Sequence, residues 1–216
     1  MFIRDVSEID ELHAIEALQK EVWGVADLEV LPAIHMIAAR EVGAIIIGAF
    51  DAHQLIGFVY GFPGFEGEHR VIHSDMLAVR EAYRDRGVGR ALKLAQRDAA
   101  LAQGVDRITW TFDPLQPRNA YLNFVHLGVT ADRYLHDFYG DTTSPLHQHG
   151  TDRLWVTWDL SRERDSRPRL SSTGKRIRIP ASRDELRREF ESAFAEGYVV
   201  TGFERGDDHC TYLLSR

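Results

Sequence analysis

An α/β fold with a mixed sheet, followed by a small β-α-β-β appendage, is the architecture this 216-residue chain predicts. Three observations carry that expectation. β-rich apolar runs alternate with amphipathic stretches that start and stop on helix signals. One run passes through a glycine-containing loop directly into a helix and on to another strand, a strand-helix-strand crossover. A polar stretch at 161–174 then separates this pattern from a shorter strand-helix-strand-strand series. The expected organisation is a main domain at 1–160, a linker at 161–174 and a subdomain at 175–216.

Taken in order, a short strand at 2–6 meets Ser7, a candidate N-cap with Asp10 three residues on. The helix that follows places Ile9, Leu12, Ile15 and Val22 on one side and runs to Trp23-Gly24. Pro32 opens a second helix to Arg40, closed by Gly43. The runs 44–50 and 55–62, separated by Asp51-Ala52-His53-Gln54, read as a hairpin. Residues 63–67 (Pro-Gly-Phe-Glu-Gly) read as a turn, and 70–79 as the next strand. After the glycine loop and its helix come a strand at 107–112, a helix from Pro117 to Leu127 ended by Gly128, and strands near 134–138 and 153–160. The linker carries Arg162, Arg164, Arg167 and Arg169 with Pro168 and Ser171-Ser172, a composition that suits a solvated face. Beyond it a strand at 176–179 precedes Ser182 and Glu185, the signature of a capping box for a helix to Ala195. A hairpin of 198–203 and 210–214 ends the chain. This tail has too few apolar residues to stand alone, so it is expected to pack on the main domain or on a second copy of the chain, a homodimer.

Composition bounds the function. The chain is 44% hydrophobic, enough for one substantial core. A net charge of −7 and a pI near 5.8 argue against a nucleic-acid or membrane-surface binder, which needs broad basic faces. Cys210 is the one cysteine, so neither an intrachain disulfide nor a zinc site built from several cysteines can form. Acid appears at once in Met1-Phe2-Ile3-Arg4-Asp5, and the run 44–50 is far too short to span a bilayer. The expected location is the cytoplasm. His147-Gln148-His149, with His126 and His136, invites a metal, but a His-x-His in a polar loop without cysteines reads as a loop, and no metal is expected.

The most informative stretch is 76–93, M-L-A-V-R-E-A-Y-R-D-R-G-V-G-R-A-L-K. An apolar strand leads through Arg84-Asp85-Arg86-Gly87-Val88-Gly89-Arg90 into a helix. Gly87 and Gly89 let the backbone turn tightly and approach a ligand, and the first helical amides have no intrahelical partner. Those amides, the positive end of the helix dipole, and Arg84, Arg86 and Arg90 favour a phosphate group. A P-loop would carry Lys-Ser/Thr where Arg90-Ala91 stands, and a dinucleotide fingerprint would need a third glycine.

At these residues the chain resembles the GCN5-related N-acetyltransferase (GNAT) superfamily, whose Arg/Gln-x-x-Gly-x-Gly/Ala signature is matched by Arg84-x-x-Gly87-x-Gly89. The preceding Leu77-Ala78-Val79 and Glu81-Ala82-Tyr83-Arg84 resemble that family's fourth strand and its exit. The resemblance covers roughly 1–160 by element order, and suggests a bacterial branch with a C-terminal extension. It implies a mostly antiparallel sheet flanked by helices, and acetyl-CoA or another acyl-CoA as co-substrate. The amides of Arg86, Gly87, Val88, Gly89 and Arg90 would hold the pyrophosphate, and the strand Leu77, Ala78 and Val79 would pair with the pantetheine arm. Asn119 would contact the pantetheine amides.

N-acylation needs a thioester held in line with an amine, a group to take the amine proton, and a donor to the leaving thiolate. His73 and Asp75 alternate on the strand that enters the loop, so they are expected on one face as a base pair. Asn119-Ala120-Tyr121-Leu122-Asn123-Phe124 resembles the family's Asn...Tyr...Gly-Phe helix imperfectly. Aligning Gly128 puts Phe124 where a tyrosine commonly serves as acid, and Tyr121, three residues earlier, becomes the candidate. On the acceptor side the resemblance points to Glu21, Trp23, His35, Arg133, Tyr134 and Tyr139. Trp23, Arg118, Arg133 and Tyr134 are the candidate substrate residues, the two arginines as grips for a carboxylate on an amino-acid acceptor or a succinyl chain. The resulting expectation is an N-acyltransferase acting on a small amine through a ternary complex. The alternative is a GNAT-fold module that binds CoA as a sensor or interaction partner without turnover.

Overall fold

The computed structural model describes residues 1–148, 150–162, 174–179 and 182–216. Most of the expected linker, with Arg164, Arg167, Pro168, Arg169, Ser171 and Ser172, and also His149, lies outside the described residues. The fold is mixed α/β with a mostly antiparallel sheet. By contacts the chain forms two compact units, Met1–Ile108 with Thr143–Gln148, and Thr109–Thr142 with His149–Arg216. Among the described residues no single helix is long and apolar enough to cross a membrane.

In the first unit β1 (Phe2–Asp5), β2 (Ile45–Asp51), β3 (Gln54–Glu66) and β4 (His69–Val79) pair in sequence order, each antiparallel to the next. Helices α1 (Ile9–Trp23) and α2 (Ala33–Glu41) put Leu12, Ile15, Leu18 and Met36 against Phe58, Tyr60 and Ala78 of the sheet. The other face takes α3 (Val88–Ala102), and glycine decides how closely. A Cβ at Gly57 would stand 2.8 Å from the Ala78 carbonyl, and one at Gly61 would stand 2.7 Å from Gln96 of α3. The backbone of β4 itself excludes a side chain at both positions, through the Ala78 carbonyl at Gly57 and the His73 carbonyl, 2.9 Å away, at Gly61, and α3 lies over the space this leaves.

Two local expectations fail in this unit. Residues 63–66 continue β3, with Pro63 opposite Ile72, and the turn falls at 66–69. β2 begins opposite Gly61, at Ile45, so Pro63 sits where one edge of β3 is open, and there a missing N–H leaves no ladder bond unmade. Glu8, not Ser7, is the N-cap of α1. The Ser7 N–H donates to the Glu11 carboxylate, which Arg4 also holds.

The second unit contains β5 (Arg107–Phe112) from Thr109 onward, β6 (Thr130–Leu135), β7 (Arg153–Asp159), β8 (Lys175–Arg178), β9 (Val199–Arg205) and β10 (Cys210–Ser215). Their spatial order is β5-β7-β6-β9-β10-β8. β9 pairs with β6 at Ala131↔Val200, so residues 175–216 share this unit's sheet. They share its core too. Tyr212 lies edge-on to Phe124, Phe190 and Phe203, and its hydroxyl donates to the Pro114 carbonyl at 2.6 Å. β6 starts and ends earlier than its sequence suggests, because Asp137 takes a left-handed conformation (φ 44) that stops the strand. Ser182 does precede α5 (Arg183–Ala195), but its side chain makes no capping bond.

One buried ion pair ties α5 to the sheet. Asp152 is fully buried, and its carboxylate accepts from Arg187 Nε and NH2 (3.0 and 2.8 Å), from the Asp137 N–H and from the Tyr134 hydroxyl. Burial alone would raise its pKa, but these donors overcome that and hold it at about 2. His136, Asp137 and Asp152 stand within ligating distance of one another. Both Asp152 oxygens are already engaged by the guanidinium, so a cation would have to displace Arg187.

Because the folded pKa lies below the unfolded value of about 3.9, this pair stabilises the fold above that pH and is lost as pH falls toward 2. We expect Arg187→Met to cost about 3 kcal/mol, since it strands a buried carboxylate. Denaturant melts of wild type and variant at pH 7 and at pH 2.5 check this. The gap between them should narrow at the lower pH.

Candidate active site

The loop from β4 to α3 is built as an anion cradle. After a short 3-10 turn at Glu81–Tyr83, Asp85 and Gly87 both take positive φ (60 and 79), and Gly87 is the N-cap of α3 with no side-chain cap. The first bond of α3 joins the Ala91 N–H to the Gly87 carbonyl at 3.0 Å, which leaves the amides of Val88, Gly89 and Arg90 ahead of the helical ladder. A Cβ at Gly89 would meet only the Leu77 and Val79 side chains, at 3.7 and 4.0 Å, so the helix start lies directly against β4. Arg84 Nε donates to the Val79 carbonyl at 3.1 Å, which fixes the loop to the strand end. The Arg86 guanidinium lies 5.5 Å from the Tyr83 ring, and Tyr83 donates to Asp51. Three leading amides, a helix dipole and Arg84, Arg86 and Arg90 make a donor set that fits a diphosphate.

β4 departs from regular alternation at the position that matters. Its register with β3 passes from Met76↔Tyr60 to Ser74↔Gly61, so Asp75 has no residue opposite and forms a β-bulge. The alternation expected to place His73 and Asp75 on one face is therefore interrupted between them. Their environments also differ. The His73 ring packs on Phe62, and burial first, then the charge of Lys93, lowers its pKa to about 4, with Glu66 opposing. Lys93 is 3% exposed, donates from Nζ to Ser74 Oγ at 2.6 Å, and is pushed down to about 7 by burial. Asp75 keeps contact with solvent, yet dense surrounding protein raises its carboxyl, with His35 of α2 partly offsetting. Of the two, the aspartate is made a stronger base than an ordinary carboxylate and the histidine a weaker one than an ordinary imidazole.

Residues 9–124, more than half of the chain, match the model of the acetyltransferase (GNAT) family. The chain belongs to that family. No curated protein matches it in sequence. Among solved structures it is similar to an aminoglycoside 6'-acetyltransferase type Ii, at 19% identity and TM-score 0.58 over 78% of this chain and 100% of that one. It is similar to an aminoglycoside 6'-N-acetyltransferase complexed with coenzyme A, at 15% identity and TM-score 0.56, over 78% and 100%. Arabidopsis thaliana NAA60 in complex with a bisubstrate analogue matches at 16% identity and TM-score 0.58, over 73% and 97%. At these identities the likeness is one of fold.

In the second unit of this GNAT chain, α4 (Pro117–Ala120) continues as a π-helix over Tyr121–Leu127, closed by Gly128 at φ 70. The wider turn separates Tyr121 from Phe124, which an α-helix would have kept on nearly one face. Phe124 is a core residue against Phe112 and Tyr212. Tyr121 is half-buried, its ring beneath the Arg205 guanidinium (4.0 Å) and edge-on to His126, in the wall of a cavity of ≈ 550 Å³ that Val125, Phe203 and His209 also line. Asn119 and Arg118 are exposed on α4. Arg133 is exposed and lies 4.4 Å from the Trp155 ring, and the Tyr134 hydroxyl is committed to Asp152. Trp23, in the first unit, packs edge-on against Phe58. Sequence reasoning missed Lys93, whose setting in Ala91-Leu92-Lys93-Leu94-Ala95 was the available signal, and Arg153, which follows Thr151-Asp152 and carries none.

Gly89→Asp should leave the fold intact, because its Cβ meets no close contact, and should abolish acyl-CoA binding by setting a carboxylate at the anion cradle. Calorimetry with CoA on the folded variant reads the result, and retained affinity would remove the loop from the CoA site.

Proposed function

We propose that this chain is an acyl-CoA-dependent N-acyltransferase that moves an acetyl or related acyl group to the amine of a small molecule, by direct transfer. The observation that carries the reading is the cradle at the start of α3, three unladdered amides seated against β4 in a loop that carries Arg84, Arg86 and Arg90. Family membership supports it, as does the CoA bound by a protein of similar fold. The donor set fits the CoA diphosphate. In the reaction the amine nitrogen bonds to the thioester carbonyl carbon, the C–S bond breaks, the nitrogen loses a proton and the thiolate gains one.

Asp75 is the proposed acceptor of the amine proton. Its bulge position aims it away from the regular ladder, and its raised carboxyl makes it a stronger base than an ordinary aspartate. His73, neutral across the physiological range, can accept a hydrogen bond but has little driving force to hold a proton. A second reading, a CoA-binding module without turnover, draws on Phe124, a core residue at the position where relatives commonly carry a tyrosine. Thiol release from acetyl-CoA with a panel of small amines separates the two readings, since the module would bind CoA and release nothing.

We expect Asp75→Asn to lower turnover by about 10² or more while CoA affinity is kept. For His73 the discriminating measurement is the pH profile. If that ring takes the proton, the acid limb of kcat/KM lies near 4 and disappears in His73→Ala. A limb that survives the substitution assigns deprotonation elsewhere.

A further inference from the structure

A serine hydroxyl attacks an acyl carbon only when a neighbouring group can take its proton, and an ordinary lysine, charged at neutral pH, cannot. Lys93 of α3 is not in an ordinary setting. It is 3% exposed, and its Nζ lies 2.6 Å from Oγ of Ser74, itself 4% exposed. Burial brings its ammonium down to about 7. Near neutral pH about half of the molecules then carry a free amine, which accepts from the hydroxyl instead of donating to it. The proton transfer assigned to Asp75 uses neither residue.

Gln96 follows Lys93 by three residues on α3, so the two side chains share a face of the helix. Gln96 is fully buried, and neither its Nε2 nor its Oε1 has a hydrogen-bond partner. Buried side-chain amides are nearly always partnered, and two orphaned atoms on one residue call for a cause. Their position supplies one. A Cβ on Gly61 would stand 2.7 Å from Gln96 Nε2, and Gly61 is the residue opposite Ser74 in the β3–β4 ladder. Facing Cβ positions in such a pair lie roughly 5 Å apart, so the Gln96 amide is within a side chain's reach of the Ser74 hydroxyl, over a position that carries no side chain. Ser74 is enclosed but not deep. Its neighbours His73 and Asp75 are half-buried and in contact with solvent, so the strand reaches the surface on either side of it. All of these residues belong to the first unit.

We propose that Ser74, Lys93 and Gln96 form a serine–lysine site that takes the acyl group from an acyl thioester and releases it to water, a thioesterase activity that operates when no amine is bound. The inference rests on the acyl-CoA reading and adds a second fate for the same acyl group. Ser74 Oγ bonds to the thioester carbonyl carbon as its proton passes to neutral Lys93 Nζ, and Gln96 Nε2 donates to the oxyanion. The C–S bond breaks, the sulfur takes the proton from Lys93, and the products are a thiol and a serine ester. Water then bonds to the ester carbon and gives its proton to Lys93, which passes it to the departing Ser74 Oγ as the carboxylic acid leaves.

The test uses the full chain with acetyl-CoA and no amine, following thiol release and locating any acetyl label by mass spectrometry of an acid-quenched digest. The expected result is amine-independent thiol release and an acetyl group on the peptide that carries Ser74, removed by hydroxylamine as an ester is and an amide is not. Ser74→Ala should lose both, and Lys93→Met and Gln96→Leu should each lower the release by about 10² or more while calorimetry shows CoA affinity kept. The wild-type digest needs no variant, so it gives the reading if a substitution prevents folding. Thiol release that requires an amine, with no hydroxylamine-labile label, overturns the proposal and leaves the transfer reading standing. Release that persists in Ser74→Ala, or a label on Lys93 that survives hydroxylamine, overturns it as well. Should acetyl-CoA not bind at all, the acyl-CoA reading fails separately. p-Nitrophenyl acetate, an acyl donor without a CoA moiety, then decides the site: an ester on Ser74 supports it and no label refutes it.

Discussion

How close a helix can come to a sheet depends on what stands between them, and in the first unit glycine clears the way. Gly57 and Gly61 of β3 carry no side chain where the β4 carbonyls of Ala78 and His73 leave no room for a Cβ, and Leu92 and Gln96 of α3 come into the space left bare. With the helix so close, its N-terminus falls beside Leu77 and Val79 at the end of β4, and the open amides of Val88, Gly89 and Arg90 gather at a strand end rather than in bulk solvent. The positive φ of Gly87 turns the chain into the helix at that point. An anion cradle thus results from a packing distance, and the arginines around it add charge to a site that the backbone has already formed.

The same close packing sets the electrostatics of β4. Lys93, on the sheet-facing side of α3, is enclosed with Ser74 Oγ as a hydrogen-bond acceptor, and enclosure lowers its pKa. Ser74 is adjacent to the bulge, so the lysine grips the strand next to the residue that leaves the ladder. His73 feels both the burial and the lysine charge, each of which disfavours a second cation. Asp75 keeps contact with solvent, but the dense protein around it disfavours its anion, with His35 partly offsetting. Two neighbouring side chains are thereby driven in opposite senses by one environment, and each ends closer to its neutral form. A carboxyl of raised basicity is suited to receiving a proton in a way that an ordinary surface carboxylate is not, whereas the histidine beside it is a weaker base than a free imidazole.

Period and punctuation made much of this legible beforehand. The strands at 107–112 and 153–160, the helix closed by Gly128 and the Arg84-Gly87-Gly89 loop were visible because each is dictated by local sequence. What stayed hidden depends on partners distant in sequence. Pro63 looks like a turn residue until the pairing of β3 with β2 is seen to reach only as far as Gly61. The bulge at Asp75 is a mismatch between two strands and leaves no mark on either alone. The π-turn from Tyr121 has an ordinary helical composition, and only the packing of Phe124 against Tyr212, 88 residues later by their numbers, shows which face is inside. Ser7 had the right residue type for a cap, but Glu11, held by Arg4, reached the local N–H.

Arg153 and Arg187 show most directly why burial has to be read together with partners. Both guanidiniums reach Asp152, yet in opposite ways. Arg187 takes the carboxylate oxygens and forms a matched pair, with the Tyr134 hydroxyl and the Asp137 amide completing the shell. Arg153 takes only the backbone carbonyl of the same residue, a neutral acceptor that satisfies one donor and none of the charge. A matched buried pair is explained by the fold it holds together. Arg153 forms no such pair: carbonyls and an aromatic ring lie against it, and the Asp113 and Asp152 charges answer it only at longer range, so less of its desolvation is offset.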